Sequence, residues 1–228
     1  MLKTLTFILV VIIFVVAMAN APSKKSARLD SNEPSAEEIL KLLNNCKKVG
    51  GDYNMEKYVP AAIPICKLKG AYYWKADMSV DCDGIASDQC NVNTDSDYQN
   101  HTTLTTSTGE PLNAATLPYA VIPQPSGRWD YRVNNIKLGA VVVVIYNGQV
   151  RYGVFGDTGG PDIIGEASYA MVKSFGLNPN PNINAVPTIA VTYIVFPGSH
   201  VSPVESHEAA MVLGVRLLSK LIRDNTPE

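Results

Sequence analysis

The stretch that most constrains the fold runs from Leu138 to Tyr146, Leu-Gly-Ala-Val-Val-Val-Val-Ile-Tyr, followed by Asn147-Gly148. Its β-branched side chains are stiff at χ1 and suit a pleated strand better than a helix. Asn-Gly is the preferred pair for a two-residue type I′ turn, because both central residues need positive φ. Gln149 to Phe155 then completes a hairpin.

Other segments add strands at short spacing. Ala61 to Trp74 is apolar with aromatics near its end, and Pro64 limits it to short strand pieces. Pro118 to Pro123 and Val186 to Phe196 read as two more strands. Helices are fewer. Ser35-Ala-Glu-Glu38 is a capping box, and the helix it starts carries Ile39, Leu40, Leu42 and Leu43 and ends near Cys46. Ala167 to Phe175 reads as a short helix ended by Gly176. Glu205 to Ile222 is amphipathic, with Met211, Val212, Val215, Leu218 and Ile222 on one face. The pattern predicts a mainly β domain with flanking helices (α+β), built as a small β-barrel. No internal repeat is present.

The chain opens with Lys3, an apolar run from Phe7 to Ala19, and Ala19-Asn20-Ala21, the small-x-small pattern of an export signal. The run falls short of the ~17 residues a spanning helix needs. Residues 1–21 are therefore expected to be a cleaved signal, residues 22–34 a flexible polar leader, and residues 35–228 a single catalytic domain. The mature protein is expected to be secreted, extracellular and free of the membrane.

Cys46, Cys66, Cys82 and Cys90 give an even count, which in an exported chain reads as two disulfides. Three pairings are possible. Cys82–Cys90, closing a short polar loop, is favoured, and it leaves Cys46–Cys66. No Cys-x-x-Cys or paired-His spacing supports a metal site.

Net charge is −2, unevenly placed. Residues 77–166 hold four Lys/Arg against eleven Asp/Glu, whereas residues 22–76 hold ten against six. An acidic middle argues against nucleic acid and suits a cationic ligand, although a solvated acidic surface has the same composition.

The densest chemistry lies in Arg151-Tyr-Gly-Val-Phe-Gly-Asp157-Thr-Gly-Gly-Pro-Asp-Ile-Ile-Gly-Glu166-Ala-Ser. A strand ends at Phe155, and Asp157 follows among glycines that permit a sharp turn and clear space for a ligand. Glu166 comes nine positions later, just before the predicted helix. Such a loop can fold both carboxylates into one cleft, where glycosidic cleavage needs one protonated and one ionised acid. The same residues also fit a turn Asp and a first-turn helix Glu, so spacing alone leaves both readings open.

A second acidic stretch is Asp77-Met-Ser-Val-Asp81-Cys-Asp83-Gly84. An EF-hand register with Asp81 and Asp83 at positions three and five would begin at Ser79 and end at Cys90, so it fails at both ends. A rim of acids for a cationic sugar fits better. His200 and His207 lack zinc-protease spacing, and the chain has no Gly-x-Ser-x-Gly elbow, P-loop or dinucleotide fingerprint.

Asp77-Met-Ser-Val-Asp-Cys-Asp-Gly84, then Tyr152-Gly-Val-Phe-Gly-Asp-Thr-Gly159, then Gly165-Glu-Ala-Ser168 resembles the fungal and bacterial chitosanases of glycoside hydrolase family 75. The resemblance runs from about Ile65 to Phe196. It implies inverting endo-hydrolysis of the β-1,4 bonds of chitosan without a cofactor or metal. Asp157 and Glu166 fall on its catalytic positions, and Asp81 and Asp83 on expected substrate contacts. Asp77, Tyr152 and Thr158, inside the same motifs, are further substrate-binding candidates. Ser79 stands where such sequences often carry Asp. The Gly-Asp-Thr-Gly-Gly loop after a hairpin also looks like loops of six-stranded, double-psi β-barrels. A monomer acting on chitosan is expected. The alternatives are a non-catalytic, expansin-like polysaccharide binder, or a barrel hydrolase or lyase of peptidoglycan or cellulose.

Overall fold

The computed structural model describes residues 33–57 and 59–226. The expected export signal and most of the expected leader lie outside these residues. Of the leader's last two positions, Pro34 is buried, and the exposed Glu33 accepts a hydrogen bond from the Tyr152 hydroxyl at 2.7 Å.

The chain forms α1 (Ala36–Leu42), β1 (Lys47–Tyr53), β2 (Ile63–Leu68), β3 (Ala71–Asp81), β4 (Tyr119–Pro123), β5 (Val141–Tyr146), β6 (Gln149–Gly159), β7 (Glu166–Ser168), α2 (Tyr169–Ser174), β8 (Val186–Val195) and α3 (His207–Asn225). Six strands close a mixed barrel in the order β3–β7–β4–β6–β5–β8, with β8 pairing back onto β3. The pairs β3·β7 and β4·β6 are parallel and the others antiparallel. A closed, mixed six-stranded barrel with a few helices agrees with the sequence expectation. β1 and β2 extend the sheet from the start of β3.

The run of valines in β5 is buried on both sides. Val142 and Val144 face a cluster that fills the barrel with Trp74, Tyr193 and Phe155. Val141, Val143 and Ile145 face a second cluster that receives Ile39 of α1 and Leu218 and Leu221 of α3. A strand covered on both faces reads as a continuous apolar run. Trp74 stacks on Tyr193 at 5.5 Å between ring centroids, and each such buried side chain contributes about 1.5–3 kcal/mol. The hairpin turn forms as expected, with Asn147 at φ 47° and Gly148 at φ 72°.

Ser35 caps α1 with Glu38 in the reciprocal arrangement read from the sequence. α3 departs from expectation. Its buried line is Ala210, Gly214, Leu218 and Leu221, while Val212 is 56% exposed. Gly214 sets this rotation, since a Cβ there would lie 2.4 Å from the Tyr152 ring. Both disulfides, Cys46–Cys66 and Cys82–Cys90, are formed in the favoured pairing. Among the described residues, no helix is long and apolar enough to cross a membrane.

Candidate active site

β3 continues beyond Trp74 to Asp81, so the acidic stretch begins as strand and not as loop. Ala76, Met78 and Val80 point into the barrel, which leaves Ser79 and Asp81 on the opposite face. Ser79 lies in register with Glu166 of β7, and Asp81 with Ser168.

β6 likewise runs past Phe155 to Gly159, which places Asp157 inside a strand. The ladder between β4 and β6 pairs Ala120 with Phe155 and Val121 with Asp157, so Gly156 is an extra residue. Without that bulge Asp157 would share the barrel-facing side of Phe155, because side chains alternate; the inserted residue turns it outward. Only glycine fits at the bulge: a Cβ on Gly156 would lie 2.6 Å from the Tyr119 ring and 2.9 Å from Leu112.

Asp157 and Glu166 therefore stand on β6 and β7, the two neighbours of β4. Two strand spacings put their backbones ~9–10 Å apart. Glu166 is not the first residue before a helix but the start of β7; Ser168 caps α2 through Met171 and also takes the Tyr119 N–H. The loop between the carboxylates is anchored at Asp162, where Arg128 Nε sits 2.7 Å from Oδ1 and Asn54 N–H donates to the carbonyl at 2.8 Å.

Asp157 is held firmly. Its Oδ1 accepts from Thr103 N at 2.9 Å, Thr103 Oγ1 at 2.6 Å and Thr158 N at 2.7 Å. Thr103 and Thr158 are also linked through their hydroxyls at 2.8 Å. Asp81 Oδ1 accepts from Asp83 N at 2.7 Å and from the Tyr119 hydroxyl at 3.2 Å. Asp83 Oδ1 accepts from Gln99 N at 2.7 Å, which ties the Cys82–Cys90 loop to the segment that follows it.

These residues line one cleft of about 500 Å³. Among the described residues its walls carry Asp81, Asp83, Asp95, Asp97, Asp157 and Glu166, and no Lys, Arg or His. Carboxylate oxygens of Asp81, Asp83 and Asp157 lie within 4.8 Å of one another, a spacing that suits a compact positive charge. Crowding and burial raise the proton affinity of several acids. Burial, then the charges of Asp77, Asp83 and Asp157, push Glu166 up to about 7. Burial, then the charges of Asp83 and Glu166, hold Asp81 well above the usual carboxylate range. Asp83 is raised to about 6, chiefly by burial.

Of the sequence-predicted residues, Asp81, Asp83, Asp157, Thr158 and Glu166 meet in this cleft. Two expected substrate contacts, Tyr152 and Asp77, lie outside this cleft. Tyr152 faces α3, is buried beside Gly214, and lines a separate cavity with Glu33 and His207. Asp77 is fully buried behind the cleft, under Gly165. Sequence reasoning misses Asp95, Asp97 and Thr103. They lie in a stretch rich in Asp, Asn and Thr where nothing local separates a cleft residue from a solvated turn.

A closed barrel that carries a cleft of carboxylates on its outer face, two of them on strands flanking β4, has the paired acids that general acid–base hydrolysis uses. Residues 78–216 match the family described as fungal chitosanase of glycosyl hydrolase group 75, and the chain belongs to that family. It is 40% identical over 131 residues to endo-chitosanase C of Aspergillus oryzae, a match covering 56% of this chain and 32% of that protein. It is 25% identical over 209 residues to the endo-chitosanase of Aspergillus fumigatus, covering 88% of this chain and 78% of that one. The match thus spans about a third of the Aspergillus oryzae relative.

Proposed function

We propose that this protein is an extracellular endo-chitosanase that hydrolyses the β-1,4 bonds of chitosan with inversion, acting as a monomer through a catalytic unit of residues 35–228. The observation that carries the reading is the cleft itself: six carboxylates, no Lys, Arg or His among the described lining residues, and two of the acids on strands that flank β4. Chitosan presents a protonated amine on each deacetylated unit, and an acidic cleft concentrates such a polymer. The named activities of the Aspergillus relatives point the same way.

In this reading Glu166, which keeps its proton to about pH 7, protonates the leaving glycosidic oxygen. Asp157, oriented by Thr103 and Thr158, takes a proton from the water that attacks the anomeric carbon from the other face. Inversion requires room for that water between the carboxyl groups, and the two acids stand on strands separated by β4. Asp81 and Asp83 receive the ammonium group of a bound glucosamine unit.

The test is product analysis on chitosan, chitin, cellulose and peptidoglycan with wild type, Asp157→Asn and Glu166→Gln. Oligosaccharides should appear from chitosan alone, with the α anomer formed first by NMR, and neither variant should release them. Tight binding without new reducing ends, or turnover of peptidoglycan or cellulose instead, would replace this reading.

A further inference from the structure

Asp77 has no surface, so it cannot touch substrate. We infer that Asp77 is instead a positioning residue, sealed behind the cleft, that acts on the reaction through Glu166 by seating its backbone and holding its proton.

The geometry on the Glu166 side is close. Gly165 lies directly over Asp77, and a Cβ at Gly165 would fall 2.1 Å from Asp77 Oδ1. Gly165 adopts φ +119°, a conformation open to glycine, and its carbonyl accepts from Ser79 N at 2.9 Å. The chain thus turns over the Asp77 carboxyl and emerges as Glu166. On the other side Asp77 Oδ2 accepts from Asn184 Nδ2 at 2.5 Å, and that amide also reaches Glu56 at 3.3 Å. Among the described residues Oδ1 has no hydrogen-bond partner.

A buried oxygen without a partner is costly when it carries charge and far less so when the carboxyl is protonated. The titratable groups facing Asp77 are Glu56 from the segment after β1, Glu166 from β7, and Tyr193 from β8, whose hydroxyl donates to the Asp77 carbonyl at 2.9 Å. Burial, with the charge of Glu56 adding to it, raises Asp77 to about 7 against the opposing hydrogen bond from Asn184. Asp77 is also the first of the charges that raise Glu166. The two carboxyls therefore lose protons as a pair: ionisation of one makes ionisation of the other harder. Glu166 stays protonated to higher pH than it would beside a neutral group.

The inference rests on Glu166 being the proton donor, and the experiment separates the two. The pH profile of kcat/KM on chitosan is measured for the full chain, for Asp77→Asn and for Asn184→Leu, with circular dichroism to confirm folding. Asp77→Asn keeps the shape of the side chain and removes its ionisation. Asn184→Leu withdraws the hydrogen bond that favours ionised Asp77, so Asp77 stays neutral while Glu166 titrates. Both should move the alkaline limb to lower pH, by on the order of one unit for Asp77→Asn. Should Asp77→Asn fail to fold, Asn184→Leu alone decides. A folded variant whose activity falls equally at every pH, with the limb unmoved, would overturn the inference and leave Asp77 a packing residue. Full activity in Glu166→Gln would instead overturn the donor assignment beneath it.

Discussion

Gly159 faces Glu166 from the far side of β4, so that a Cβ added to Gly159 would come within 2.6 Å of Glu166 Oε2 and 3.2 Å of Val121. The last glycine of the Gly-Asp-Thr-Gly motif thus clears space for an acid on another strand. Gly159→Ala should lower kcat by displacing Glu166 while leaving the fold intact, at a stability cost of about 1–3 kcal/mol. Reducing-end release and a thermal melt, run together, check both halves.

Thr103 orients Asp157 through both its N–H and its hydroxyl. Thr103→Val keeps the N–H and the shape but removes the hydroxyl. A hydrogen bond to a charged group is worth about 1.5–3 kcal/mol, so turnover should fall about 10- to 100-fold with KM little changed. Steady-state kinetics on chitosan decides this; a pure KM effect would place Thr103 in binding instead.

The raised acids make stability depend on pH. Asp77 and Glu166 sit at about 7 in the folded chain, against ordinary values of 3.8 and 4.5. Between these limits the folded state holds more protons than the unfolded one, so stability falls as pH rises. The thermal midpoint should be highest near pH 4 and decline towards pH 7, and Asp77→Asn should flatten the decline. Melts across this range measure it.

Asp81 and Asp83 are assigned to the substrate amine on the strength of a tight cluster with Asp157. Asp83→Asn should raise KM for fully deacetylated chitosan on the order of tenfold, the loss of one charge-assisted hydrogen bond. Added salt should raise the wild-type KM in the same direction. KM measured across salt concentrations for both proteins tests this, and a KM indifferent to charge would remove these acids from recognition.

Local signals in the sequence translate directly into structure. The valine run, the Asn-Gly turn and the Ser35–Glu38 box each specify their own geometry within a few residues, and each forms. The extension of β3 to Asp81 is harder to read, because the acids Asp77 and Asp81 make the stretch that holds Ala76, Met78 and Val80 look like a loop. The bulge at Gly156 is illegible for a different reason: it exists because Tyr119 and Leu112, distant in sequence, crowd that point. On α3, hydrophobicity favours Val212 for the buried face, whereas contact with the Tyr152 ring requires the glycine at position 214. Resemblance points to Asp157 and Glu166. It cannot tell that Asp77, in the same motifs, is sealed under Gly165 or that Tyr152 packs against Gly214 of α3, since both contacts come from segments distant in sequence.

β4 contributes neither proposed catalytic acid, yet both of its edges are occupied by strands that do. Its width is set by main-chain hydrogen bonds, which most side-chain substitutions leave in place. The gap between the proposed proton donor and the proposed base is therefore gauged by peptide geometry, and mutation can retune what fills the gap far more easily than it can change its span.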